Sequence, residues 1–224
     1  EELAASSGEI STAMVKMSHS AEPQVHGMRD ADGLLGRLRA TAAEAVQGAD
    51  LVVLAVPVGA MAAVAAEIGP HLQPGCTVTD VGSVKQAVVE MVSPYIPANV
   101  HFIPGHPMAG TEYSGPRAGF ATLYDNRWWL LTPTPDAEPA AVAKLQSLLE
   151  AIGAKVNCMD AAHHDQVVAV VSHAPHLIAY TMVGVADHLA QVSNSEVIEY
   201  SASGFRDFTR IASSDPTMWR DVFL

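Results

Sequence analysis

Residues 49–58, Ala-Asp-Leu-Val-Val-Leu-Ala-Val-Pro-Val, form an aliphatic and β-branched run with no polar alternation. Such a run predicts a central parallel strand buried on both faces. The pattern then repeats: helical spacing over 60–68, a second buried strand over 76–81, a helix over 84–92 and a strand over 100–103, with Pro70, Pro74 and Gly75 as punctuation. Strand and helix alternating at this interval predict a doubly wound α/β sheet. In such sheets ligands bind beyond the carboxyl ends of the strands. Pro57, Ser83 and His106 each fall just past such an end, so the strand exits converge on one crevice.

His106 stands between Gly105 and Pro107. Glycine permits a close backbone approach on one side, and proline biases His106 toward an extended conformation on the other. A rigid imidazole in a turn suits a catalytic base, and a hydrogen-bonded turn histidine would look the same. Ser83 follows Gly82 at a strand-to-helix turn, where serine serves as a helix N-cap and its hydroxyl can also face a ligand.

Further along, 127–133 reads as the strand of a hairpin-like segment, with Trp128 and Trp129 as packing residues. A helix over 137–152 is closed by Gly153, and 154–159 reads as the last strand of the sheet. After Asp160 the period changes: 161–190 is a nearly continuous apolar helix in which Pro175 should introduce a kink. A helix apolar all round must be buried, most simply against a second copy of itself, which predicts a helical dimerisation domain and a homodimer. His173 and His176, three apart, share a helical face, but a zinc site needs a third protein ligand, so no metal is expected. A backbone carbonyl freed at the kink would satisfy His173.

The net charge of -12 and pI near 5.1 argue against nucleic acid, whose phosphates need a basic face. Cys76 and Cys158 lie far apart in no metal or redox spacing and read as reduced, buried thiols. The first residues lack a basic segment followed by an apolar one, and no run of about 18 apolar residues occurs, so neither export nor a membrane is indicated. A cytoplasmic protein is expected.

Four polar blocks occur in order: Thr79-Asp80-Val81-Gly82-Ser83-Val84-Lys85, Gly105-His106-Pro107-Met108-Ala109-Gly110-Thr111-Glu112, Ser172-His173-Ala174-Pro175-His176 and Gly204-Phe205-Arg206-Asp207-Phe208-Thr209-Arg210. In sequence and separation they resemble the prephenate and arogenate dehydrogenases of tyrosine biosynthesis, over 48–224. The resemblance implies a Rossmann-like dinucleotide-binding domain over 1–159 and a helical substrate and dimerisation domain over 160–224, both ends incomplete. It implies oxidative decarboxylation of prephenate, or arogenate, with hydride transfer to NAD or NADP. His106 would accept a hydrogen bond and then the proton of the ring hydroxyl near its unperturbed pKa, with Ser83 orienting His106 or the hydroxyl. Arg210 would grip the ring carboxylate, a task for which a guanidinium fork is shaped. His176, Thr111, Glu112 and Ser114 would complete the substrate site, and His176 matches a position where prephenate-using members keep histidine. Arg206 reads as a solvated arginine.

For the cofactor the resemblance implies Val56, Pro57, Asp80 and Ser83, joined by Gly8 and Arg29 near the start. There the pattern departs from the family. In 6–11, Ser-Ser-Gly-Glu-Ile-Ser, only Gly8 survives of the expected Gly-x-Gly-x-x-Gly turn, so either the true beginning is missing or the loop is degenerate. A degenerate loop would suit a binding module that holds no dinucleotide, and other reductases share the architecture without the joint motifs. Apolar positions recur at helical spacing over 10–18, and 24–30 would be the second strand and its exit. In the family register Arg29 replaces the acid that binds ribose hydroxyls, which would favour NADP; a solvated arginine beside Asp30 and Asp32 fits equally.

Overall fold

The computed structural model describes residues 12–15, 41–111, 118–193 and 199–223. The apolar runs become parallel strands. β1 (Thr12–Val15), β2 (Leu51–Leu54), β3 (Thr77–Asp80) and β4 (His101–Phe102) make one sheet in that spatial order, every neighbouring pair parallel. Parallel neighbours require crossovers. After α1 (Ala42–Ala45), which precedes β2, α2 (Met61–Ile68) returns the chain to β3, and α3 (Gln86–Val92) returns it to β4. Spacing fixes the face that α2 buries: Met61, Val64, Ala65 and Ile68 pack on Val52, Leu54 and Val78 in the first core. Met61, Val64 and Ile68 each contribute roughly 1.5–3 kcal/mol by leaving water.

The helical spacing over 10–18 misleads, because 12–15 is strand, registered Thr12 to Leu51 through Val15 to Leu54. A few apolar positions in a short window fit either period, and ladder pairing to a buried strand decides.

The second strand group also departs from expectation. β5 (Gly105–Pro107), β6 (Trp128–Leu131) and β7 (Lys155–Cys158) form a separate sheet, β5 antiparallel to β6 and β6 parallel to β7. His106 therefore lies in a strand, opposite Leu130, and not in a turn. The chain changes sheets at Pro104: Ile103 N–H donates to the Val78 carbonyl at 2.9 Å, and Thr132 N–H donates to the Pro104 carbonyl at 2.9 Å. α4 (Pro139–Ala151) links β6 to β7 and packs Ala141, Leu145 and Leu149 against Trp129 and Leu131 in a second core. Trp128, by contrast, is exposed. Gly153 closes α4 at φ +91°, a left-handed conformation that glycine adopts without a Cβ penalty. Cys76 is buried, but Cys158 is exposed on β7, against the expectation for both thiols.

Asp160 caps α5 (Ala161–Val168), accepting from Ala162 N–H at 2.8 Å and His163 N–H at 3.1 Å. A π-helical segment, Ala169–His173, then leads into α6 (Ala174–Ser193). Pro175 supplies no N–H to the preceding turn, and the wider segment just before it is where the helix accommodates that loss. α7 (Ser203–Thr209), a 3₁₀ turn (Arg210–Ser213) and α8 (Pro216–Phe223) follow, α8 being capped by Asp215, which accepts from Thr217 N–H at 2.8 Å.

The long helix is not buried within one chain. Leu177, Ile178, Val185 and Leu189 are about half exposed or more. By length and composition alone the 30-residue stretch Ala161–Ala190 could cross a membrane. Its first turns are instead occupied with the α/β part, since Asp165 accepts from Lys85 N–H at 2.8 Å and Gln86 N–H at 2.9 Å.

Candidate active site

β3 ends in Asp80, and everything beyond it is held tightly. Asp80 and Lys85 form an ion pair with no exposed surface on either side chain. The Asp80 carboxylate also accepts from Gly82 N–H at 2.8 Å and Gly105 N–H at 3.0 Å, while Lys85 Nζ donates to the Gly105 carbonyl at 2.6 Å. Burial pushes the Asp80 carboxyl up and the Lys85 ammonium down, and their attraction opposes both shifts. Asp80, expected at the cofactor, thus lies beneath the rim with no surface to offer a ligand. Val56 is similarly enclosed in the first core, leaving exposed Pro57 at the end of β2.

The N-cap role expected of Ser83 falls to Asp165, which reaches the first amides of α3 from another element. Asp165 also turns toward the catalytic candidate. Its Oδ1 lies 2.8 Å from Nδ1 of His164, whose Nε2 lies 2.9 Å from Nδ1 of His106. His164 is fully buried and His106 nearly so. Burial pushes the Asp165 carboxyl up, but hydrogen bonds from His164 and from the Gln86 and Lys85 amides outweigh it and hold the group below its usual range. An ionised carboxylate only accepts, so His164 carries its proton on Nδ1. With His164 neutral, its Nε2 accepts from His106 Nδ1–H, which leaves the lone pair of His106 on Nε2. Burial, with His164, Lys85 and His173 nearby, pushes the His106 pKa down to about 3. The ring is therefore a neutral hydrogen-bond acceptor, not a base near its ordinary pKa.

Ser83, His106, Thr111, His176 and Arg210 line one cleft of about 530 Å³, together with Trp219 of α8. His176 stacks on the Trp219 indole, ring centroids 3.8 Å apart, and its Nδ1 donates to the Ser172 carbonyl at 2.8 Å. That carbonyl, inside the irregular segment, satisfies His176, where His173 was expected to be the beneficiary. His173 is buried edge-on to Trp219, and burial pushes its pKa down. Arg206 is exposed and donates to Ser201 Oγ at 3.3 Å. Gly8, Arg29, Glu112 and Ser114 lie outside the described residues. Sequence reasoning missed His164, Asp165 and Trp219; a buried-type histidine beside an aspartate just after a helix cap was the available signal for the first two.

α8 also touches the candidate cofactor side. A Cβ on Gly59, in the turn after Pro57, would lie 2.9 Å from Asp221 Oδ2, so one short helix spans from the cleft to the end of β2. That end, Pro57, and the Gly82–Ser83 turn open on the same edge of a parallel sheet, which suits a dinucleotide.

Comparison with known proteins agrees with this plan. Residues 25–158 match the family model of the prephenate dehydrogenase nucleotide-binding domain, and residues 160–224 match that of the prephenate dehydrogenase dimerization domain. The cyclohexadienyl dehydrogenase of Zymomonas mobilis is 42% identical over 181 residues, covering 81% of this chain and 61% of that protein. The prephenate dehydrogenase of Bacillus subtilis is 38% identical over 180 residues, covering 80% of this chain and 48% of that one. Among solved structures, prephenate dehydrogenase from Aquifex aeolicus in complex with hydroxyphenyl propionate and NAD+ superposes with TM-score 0.72 at 37% identity, covering 78% of this chain and 60% of that one. This chain thus spans 61% and 48% of the length of the two curated relatives. A Rossmann-like α/β part followed by a helical part is their common architecture, and the chain belongs to the prephenate dehydrogenase family.

Proposed function

We propose that the protein oxidatively decarboxylates prephenate, or arogenate, with hydride transfer to NAD or NADP. The observation that carries this reading is the meeting of Ser83, His106, Thr111, His176 and Arg210 in one cleft, with His106 Nδ1 held 2.9 Å from His164 Nε2. When bound, the oxidised nicotinamide supplies the hydride acceptor. Pro57, the backbone at Val56 and the Gly82–Ser83 turn are the described groups that would hold it, with Gly8 and Arg29 as further candidates.

Prephenate bears a ring alcohol and, across the ring, a quaternary carbon with a carboxylate. As hydride leaves the alcohol carbon, positive charge grows there, and the hydroxyl becomes a stronger donor toward His106 Nε2. The electrons of the breaking carbon–carboxylate bond complete the aromatic ring as carbon dioxide departs. The product is a phenol, so no net proton is lost. An imidazole with its pKa pushed down to about 3 fits this task, because it holds the hydrogen bond through the transition state without keeping the proton. Ser83 lies on the same cleft and orients the hydroxyl. Arg210 pairs with a substrate carboxylate, which an acidic chain of net charge -12 would otherwise repel.

The reading divides the chain at 159/160, where Asp160 starts the helical part. It includes a homodimer in the cytoplasm: the outward face of α6 carries an apolar groove of about 520 Å³ lined by Leu177, Ile178, Met182, Val185, Leu189 and Phe205, on the part that matches a dimerization domain. Steady-state assays of the purified protein with prephenate and arogenate, each with NAD and NADP, test the proposal. Turnover with at least one combination is expected; bound dinucleotide without turnover on either substrate would contradict it.

A further inference from the structure

We infer that the buried pair Asp80 and Lys85 is a positioning device for both His106 and Ser83. This rests on reading those residues as the reacting-site groups. β5 is paired with β6 along one edge, through Thr132 N–H to the Pro104 carbonyl and Met108 N–H to the Trp128 carbonyl. In an antiparallel ladder the residue between such bonded positions turns its N–H and C=O the other way. Gly105, directly after the bonded Pro104, is such a residue. Its N–H donates to Asp80 Oδ1 at 3.0 Å and its carbonyl accepts from Lys85 Nζ at 2.6 Å. The two side chains therefore substitute for a neighbouring strand where β3 has ended, and they fix the peptide groups on the N-terminal side of His106.

The same pair closes the other element of the site. Asp80 Oδ2 accepts from Gly82 N–H at 2.8 Å and from Lys85 Nζ, so the turn carrying Ser83 is anchored at both ends by side chains of its own flanks. Gly105 makes the close approach possible: a Cβ there would lie 2.8 Å from Trp129 Nε1 and 3.0 Å from the Asp80 carbonyl oxygen. Buried ion pairs contribute little net stability relative to well-packed apolar groups. What this one supplies is a fixed geometry between two strand ends, in a setting where displacement of a reacting group by about 1 Å costs about 10²-fold in rate.

The test is the double variant Asp80→Asn/Lys85→Met, which keeps side-chain volume and leaves no lone buried charge. Turnover, the melting temperature and the ¹⁵N shifts of the His106 ring are measured on the folded protein. The expected result is a fall in kcat of about 10²-fold, with KM for the dinucleotide little changed and the His106 ring passing from one neutral tautomer to a mixture. A wild-type kcat and a single tautomer, whatever the change in melting temperature, would show a merely structural pair. Should the double variant not fold, Asp80→Asn/Lys85→Gln, which also leaves no lone charge and keeps an acceptor for Gly105 N–H, reads the same quantities. His106→Asn assayed in parallel separates the two ideas: if it retains turnover, the role of His106 fails, while the ring shifts still decide whether the pair positions it.

Discussion

His164 Nε2 lies 2.9 Å from Nδ1 of His106, and the opposite nitrogen of His164 lies 2.8 Å from Asp165 Oδ1. The arrangement sets the direction of the proton on each ring. An ionised Asp165 at one end takes the Nδ1 proton of His164, and with one proton on that ring the bare nitrogen of His106, which lines the cleft, is Nε2.

Replacing His164 by Phe keeps the ring volume and removes both nitrogens. His106 Nδ1 then has no partner in a buried site, and its tautomer is no longer specified. Turnover should fall by about 10²-fold with a smaller change in KM. Steady-state kinetics on the variant check this, and an unchanged kcat would remove the relay from the account.

The same burial gives a pH dependence of stability. The folded pKa of His106 is pushed down to about 3, below the ordinary value of 6.5. Between those values the unfolded chain binds a proton that the folded chain does not. Stability from this group is therefore complete above pH 6.5 and is lost as pH falls toward 3. His173, also pushed down, adds in the same direction. Denaturant unfolding across this range should show the folded state weakening with acid, and His106→Asn should flatten the slope.

The outward face of α6 predicts an assembly. Leu177 is 52% exposed and Val185 62% exposed in one chain, which is costly for a helix this apolar unless a second copy covers it. Leu177→Asp/Val185→Asp should convert a dimer to a monomer in analytical ultracentrifugation. A wild-type protein that sediments as a monomer at micromolar concentration would contradict the homodimer.

The parallel sheet was legible because 49–58 is a long apolar run whose burial on both faces leaves one reading, and strand and helix alternate at regular intervals after it. β5 was not: it is three residues long, it follows Pro104, and its partner β6 is distant in sequence. The strand at 12–15 was misread for a related reason, since pairing to β2, and not local periodicity, decides it. Within the site, Ser83 and His106 stood out at strand ends, while Thr111, His176 and Arg210 came from the resemblance of their polar blocks to the family. Asp80 and Val56 were assigned to the cofactor from the resemblance, and burial removes their side chains from any ligand. His164 gains its meaning only from a ring 58 residues away, which no local pattern encodes.

The most direct test of the central claim is prephenate-dependent formation of reduced nicotinamide by His106→Asn beside His163→Asn, a surface histidine one residue before the relay. The account predicts that kcat for His106→Asn falls by about 10²-fold or more, with dinucleotide binding retained, and that His163→Asn matches the wild type. Equal turnover in both variants, or an equal loss in both, would contradict the assignment of His106 as the group that accepts the substrate hydroxyl.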